Sequence, residues 1–143
     1  MSEASADIEA LMTEYAAAVL AKAPSRLAAI YAPSVRVFDT WGVWSYDDRD
    51  AWSRSLHDWL GSLGDESVQV RFDDARVAQY AETGSISAFV TYSAVNADGD
   101  VIRSMQNRLS WFLTKNDGRW LVAHEHTSTP INFENQKAIL HRE

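Results

Sequence analysis

From Asp7 to Ala23 the apolar residues Ile8, Leu11, Met12, Tyr15 and Val19 recur at the three- and four-residue spacing of one helix face. That spacing predicts an amphipathic helix with Asp7 as its N-cap and Tyr15 on its buried stripe. Pro24 suits the first turn of a short second helix carrying Leu27, Ile30 and Tyr31, which Pro33 stops. Val35 to Asp39 then alternates as a short strand, and Trp41-Gly42-Val43-Trp44 follows as a second strand or a bent continuation with glycine at the bend. Asp47 or Asp48 caps a third helix, whose stripe is Trp52, Leu56, Trp59, Leu60 and Leu63 and whose end is loosened by Gly61 and Gly64.

After that the period changes from helix to strand. Ser67 to Ala81, Ser85 to Ala97 and Val101 to Thr114 read as long strands joined by turns at Glu82-Thr83-Gly84 and Asp98-Gly99-Asp100. A hairpin closes the series: Asn107 to Thr114 and Arg119 to Thr127 flank Lys115-Asn116-Asp117-Gly118, residues tolerant of a left-handed backbone. Strict alternation puts Trp120, Val122, His124 and His126 on one face of its last strand, with Leu121, Ala123, Glu125 and Thr127 on the other. On the preceding strand Arg108, Ser110 and Phe112 oppose Asn107, Leu109, Trp111 and Leu113, and both strands read as covered on both sides. The expected fold is α+β: a long antiparallel sheet that curls against three helices, giving a cone with a pocket inside.

The 143 residues fit a single domain, 1–143, with flexible termini at 1–6 and 132–143. A domain of this size buries roughly 68–70% of its unfolded surface, so it needs no covalent staples. The chain has no cysteine, which excludes disulfides, thiolate metal sites and a cysteine nucleophile. A net charge of −7 with scattered Lys and Arg argues against nucleic acid and anionic membranes. The N-terminus carries Glu3 and Asp7 in place of a basic leader, so a cytoplasmic protein is expected. No phosphate-binding glycine loop, nucleophile elbow or metalloprotease helix is present, and no cofactor is expected.

Three segments carry a family resemblance: LMTEYAAAV, LAAIYAPSVRVFD and RLSWFLTKNDGRWLVAHEHTS. With them the chain resembles the SnoaL-like, ketosteroid-isomerase-like group of the nuclear transport factor 2-like superfamily. The closing Asp-Gly-Arg-Trp turn and His-x-His-x-Ser are also similar to the association domain of calcium/calmodulin-dependent kinase II. The isomerase resemblance implies that Tyr15 matches the oxyanion-hole tyrosine and Asp39 the general base. It also places Ser110, a weaker donor, where those enzymes hold a protonated aspartate. The kinase resemblance implies that Arg108 and His126 line a pocket accepting small carboxylates.

Each candidate has an ordinary alternative. Asp39 in a tryptophan-lined pocket is a base of raised pKa, or a strand-terminal aspartate accepting backbone bonds. Tyr15 is an oxyanion donor or a core tyrosine. At least one of His124 and His126 is expected to face the pocket as a donor or proton carrier, His124 serving equally well to tie the last strand down. A metal is not expected, because two histidines lack a third ligand nearby. Arg108 binds a carboxylate or neutralises Asp39 or Glu125, while Trp41 and Trp44 form a flat wall for a ring-shaped ligand. The expectation is thus a small apolar or ring-shaped ligand and proton-transfer chemistry run by Asp39, Tyr15 and His126. Its rivals are a non-catalytic carboxylate binder and an oligomerisation module, and a homodimer is expected.

Overall fold

Helix α1 (Glu3–Leu20) turns Ile8, Leu11, Tyr15 and Val19 inward, the stripe its spacing predicted, in a computed structural model that describes residues 3–142. Asp7, expected as the cap, lies inside this helix because the helix already runs from Glu3. Of the expected flexible start, residues 1 and 2 lie outside the described residues.

Helix α2 (Pro24–Ala28) is shorter than expected. Tyr31 belongs to strand β1 (Tyr31–Phe38), and Pro33 lies within that strand instead of before it. The sheet order explains this. The strands run β1-β5-β4-β3-β2, so β1 is an edge, where a missing N–H costs little, and its register with β5 shifts between Tyr31 and Arg36 around the proline. β1 pairs parallel to β5, so the sheet is mixed and not wholly antiparallel.

Trp41 to Trp44 forms neither a strand nor a continuation; it is a loop closed by a lone bridge between Val37 and Tyr46. Gly42 takes φ +82° there, a backbone that an L side chain resists. Helix α3 (Arg49–Gly61) takes Asp48 as its cap, the carboxylate accepting from Ala51 N–H at 2.8 Å. It buries Trp52, Leu56 and Leu60.

Strands β2 (Ser67–Gln79), β3 (Thr83–Val95), β4 (Val101–Asn116) and β5 (Arg119–Ser128) form the meander that the apolar alternation and turn residues indicated. Val90, Leu109, Trp111, Leu113 and Val122 line the concave face, against which α1 and α3 close a single core. The other face is open: Arg108, Ser110 and Phe112 of β4 are exposed, so these strands are not covered on both sides.

One irregularity decides which polar groups enter the cone. Phe112 pairs with His124 and Leu113 with Val122, leaving Ala123 as an extra residue on β5. This bulge reverses the alternation. Trp120 and Val122 face inward before it, and Glu125 and Thr127 face inward after it. His124 and His126 are turned to the outer face.

Residues 132–142, expected as a flexible tail, form a small hairpin and a strap. Ile131 bridges Ala138 around a turn in which Asn132 Oδ1 accepts from Glu134 and Asn135 N–H. The chain then follows the stretch of β4 beyond the end of β5, where Gln106 N–H donates to the Leu140 carbonyl at 2.7 Å.

Candidate functional site

The cone encloses a cavity of about 600 Å³ between α1, α3 and the concave face of the sheet. Its walls are mostly aromatic and aliphatic, including Tyr15, Trp41, Tyr46, Trp59 and Tyr92, with the strap's Leu140 at one side. Polar groups are few. Asp39, Glu125, Asn107 and the Tyr15 and Tyr92 hydroxyls are the ones that matter chemically, an apolar pocket with convergent polar groups.

Asp39 follows directly on β1. The Thr127 hydroxyl donates to its Oδ1 at 2.9 Å and itself accepts from Thr40 N–H at 2.9 Å, so β5 orients the carboxylate. Burial pushes the Asp39 carboxyl above the usual aspartate range, against the Thr127 hydroxyl and the Trp41 and Thr40 backbone, which favour the ionised form. No arginine pairs with it among the described residues.

Glu125 is buried to 1% exposure. The Tyr31 hydroxyl at 2.6 Å and Trp111 Nε1 at 2.8 Å both donate to Oε1. Burial pushes this carboxyl up to about 7, outweighing those two donors, and the nearby charge of Asp39 adds to the rise. Two carboxyls in one cavity thus sit in different environments. Asp39, polar and partly open, is the better base; Glu125, dry and close to neutral, is the better acid.

Tyr15 packs edge-on against Phe72 and Trp111, each at 5.8 Å between ring centres, and its hydroxyl lies 3.0 Å from that of Tyr92. Burial pushes both tyrosine hydroxyls well above their ordinary range, so they remain protonated and serve as hydrogen-bond donors.

Of the residues singled out in the sequence, Tyr15, Asp39 and Trp41 come together on this cavity. The others do not. Trp44 is 97% exposed at the loop tip and forms no part of the wall. Ser110 and Arg108 point outward from β4, and the Arg108 guanidinium takes the Ser128 hydroxyl as its partner at 3.1 Å, neither Asp39 nor Glu125. His126 is exposed on the outer face against Phe38, their rings 5.5 Å apart. His124 donates from Nδ1 to the Arg36 carbonyl at 2.7 Å, tying β5 to β1. The bulge at Ala123 is the physical reason that both imidazoles miss the cone.

Glu125, Tyr31, Tyr92 and Asn107 are the site residues that sequence patterning did not select. Tyr31 was hidden by the helix reading that Pro33 suggested. For Glu125 the one signal is the run Leu121-Val122-Ala123, apolar at three successive positions, where a two-residue period loses its phase.

Comparison with known proteins agrees with this architecture. A Pseudomonas putida KT2440 protein of unknown function, NTF2-like, has 21% identity and a TM-score of 0.86 over 100% of this chain and 99% of that one. A Xanthomonas campestris structure provisionally named a calcium/calmodulin dependent protein kinase II association domain is 20% identical, with a TM-score of 0.72 over 85% and 84% of the two chains. A Novosphingobium aromaticivorans DSM 12444 structure provisionally named a scytalone dehydratase is 15% identical, with a TM-score of 0.75 over 97% and 95%. At these identities the likeness is one of fold. No curated protein matches the chain. The SnoaL-like domain profile matches residues 8–132, nearly the whole of the helices and sheet just described, and the chain belongs to that SnoaL-like family.

Proposed function

We propose that the cone binds a small apolar, ring-shaped molecule carrying a carbonyl oxygen and catalyses a cofactor-independent proton transfer on it, an isomerisation, cyclisation or dehydration. The observation that carries this reading is the pair of carboxyls, Asp39 and Glu125, on one aromatic cavity with the Tyr15 hydroxyl. Asp39 removes a proton beside the carbonyl, Tyr15 donates to the oxygen as negative charge develops there, and Glu125 in its neutral form returns a proton. The cavity's size suits a molecule of two or three fused rings. A neighbour provisionally named a scytalone dehydratase supports a reaction of this class.

The carboxylate-binding alternative rested on Arg108 and His126, which face away from the cavity. Arg103 does reach the lining, but it is paired with Glu66. The reading keeps a homodimer through the open outer face of the sheet, where Phe112 is 47% exposed beside the half-buried Phe38 and His124.

The test is solvent deuterium exchange into the acidic C–H positions of bicyclic ketones such as 2-tetralone, followed by NMR. The native chain is expected to accelerate exchange and Asp39→Asn to remove the acceleration, both proteins melting alike. Exchange no faster than buffer across a panel of such ketones, or an unaffected Asp39→Asn variant, overturns the assignment.

A further inference from the structure

Among the described residues, four buried side-chain polar atoms have no hydrogen-bond partner: Trp52 Nε1, Gln79 Oε1, Asn107 Oδ1 and Trp120 Nε1. Of these, Trp52 and Asn107 border the cavity, and only Asn107 brings an acceptor to it. A buried acceptor without a donor is rare in folded proteins and costs free energy until a donor reaches it. Asn107 is 7% exposed, so bulk water is a poor source of that donor, whereas the cavity beside it has room for one. Its neighbours on the same face of β4 are Met105, Leu109, Trp111 and Leu113, all apolar. An apolar side chain would fill the same place without leaving an atom unpaired, so the amide contributes nothing to the packing that those neighbours do not.

The register gives its distance from the carboxylate. Thr127, whose hydroxyl orients Asp39, pairs with Leu109, and Asn107 is the next residue of β4 on that face, about 7 Å along the strand. Met105 and Arg103 carry the face on to the rim, where the Arg103 side chain is 60% exposed. Asn107 thus stands between the reacting end of the cavity and its mouth. A half-turn about the last bond of its side chain, a broad torsion, exchanges the two ends of the amide and presents the oxygen to whatever fills the cavity. We infer that Asn107 is a binding residue whose Oδ1 accepts a hydrogen bond from a hydroxyl of the ligand, so that the cavity takes ring ketones carrying a hydroxyl one ring across from the reacting carbon. A wholly apolar far ring leaves the amide oxygen unpaired, and a hydroxyl there removes that penalty. This inference rests on the ligand site proposed above and narrows its substrate class.

The experiment titrates two shape-matched ketones calorimetrically, 6-hydroxy-2-tetralone and 6-methyl-2-tetralone, whose substituent lies on the far side of the aromatic ring from the acidic C1. A purely apolar wall favours the methyl compound, because a hydroxyl buried without a partner is penalised. The native chain is expected to favour the hydroxyl compound roughly 3- to 10-fold, the scale of one net hydrogen bond. Asn107→Leu, which removes the acceptor at similar volume, is expected to turn the preference to the methyl compound. Asn107→Asp keeps an acceptor oxygen and is expected to retain the hydroxyl preference, a rescue that a merely structural role does not produce. Where Asn107→Leu fails to fold, Asn107→Ala takes its place. A native chain that binds both ketones but does not favour the hydroxyl overturns this inference and leaves the ligand site standing. So does a hydroxyl preference that survives removal of the acceptor, or one lost equally in Asn107→Asp. Failure of the native chain to bind either ketone overturns both.

Discussion

The Tyr31 hydroxyl donates to Glu125 Oε1 at 2.6 Å across 94 positions of sequence, joining the first strand of the sheet to the last inside the core. That bond, with the one from Trp111, holds a carboxyl whose pKa burial raises to about 7, and the consequence is a pH dependence of stability. Glu125 is protonated in both folded and unfolded chains below about pH 4.5. Between there and about pH 7 the unfolded chain gives up the proton while the folded chain keeps it, so stability falls as pH rises through that window and levels off above it. The loss is on the order of 3 kcal/mol. Glu125→Gln keeps an acceptor for Tyr31 and Trp111 but has nothing to titrate. Urea unfolding at pH 5 and pH 8 is expected to show the variant gaining on the native chain by about that amount at the higher pH. A stability difference independent of pH would sink the assignment of a neutral Glu125.

The hairpin between β2 and β3 contains a second sensitive point. A Cβ on Gly84 would lie 2.8 Å from the Ala78 carbonyl oxygen and 3.2 Å from Ile8 Cδ1, and the first of these belongs to backbone that the β2–β3 pairing fixes. Gly84→Ala is expected to destabilise by about 1–3 kcal/mol through overpacking and strand displacement. Gly61, at the end of α3, has open space around its Cβ position, and Gly61→Ala is expected to be neutral or stabilising by about 0.4–1 kcal/mol. Thermal melts of the two variants, side by side, check the pair. Equal melting points would mean that the strand register at Gly84 relaxes freely.

The meander, the third helix and the helical Tyr15 stripe were legible because each repeats one period long enough to fix its phase. Asp39 was legible through the family pattern around VRVFD. The failures lie where one local event overrides the period. Pro33 stops a helix in most contexts, yet an edge strand tolerates it, so Tyr31 was lost to the wrong element. The extra residue at Ala123 leaves no trace in composition, and it moves Glu125 onto the cavity, turns Thr127 inward and sends both histidines out. Arg108 and Ser110 were placed on the correct face relative to Asn107 and Trp111. What sequence left open was which of those two faces the helices cover, a question of tertiary packing.

The C-terminal strap supplies a test of the ligand site proposed above. Leu140 forms part of the wall, and its position depends on a few bonds to β4. Gln106 N–H donates to its carbonyl, the His141 ring donates from Nε2 to the Ser104 carbonyl at 2.9 Å, and Arg142 N–H donates to Gln106 Oε1 at 2.6 Å. The Arg142 guanidinium also stacks over Phe89 at 3.7 Å, on the opposite side of the sheet from the core residue Val90. These contacts are local, and the central core of α1, α3 and the sheet does not pass through them. Removal of residues 140–143 is therefore expected to leave the unfolding midpoint nearly unchanged. It takes away one apolar wall residue, about 1–1.5 kcal/mol of contact with an apolar ligand, which is roughly tenfold in affinity. Because affinity differences between variants of one site fall mostly in the dissociation rate, most of that loss should appear as faster release. Stopped-flow release of 2-acetylnaphthalene from the native and shortened chains measures it, and an unchanged release rate would show that the strap borders the cavity without closing it.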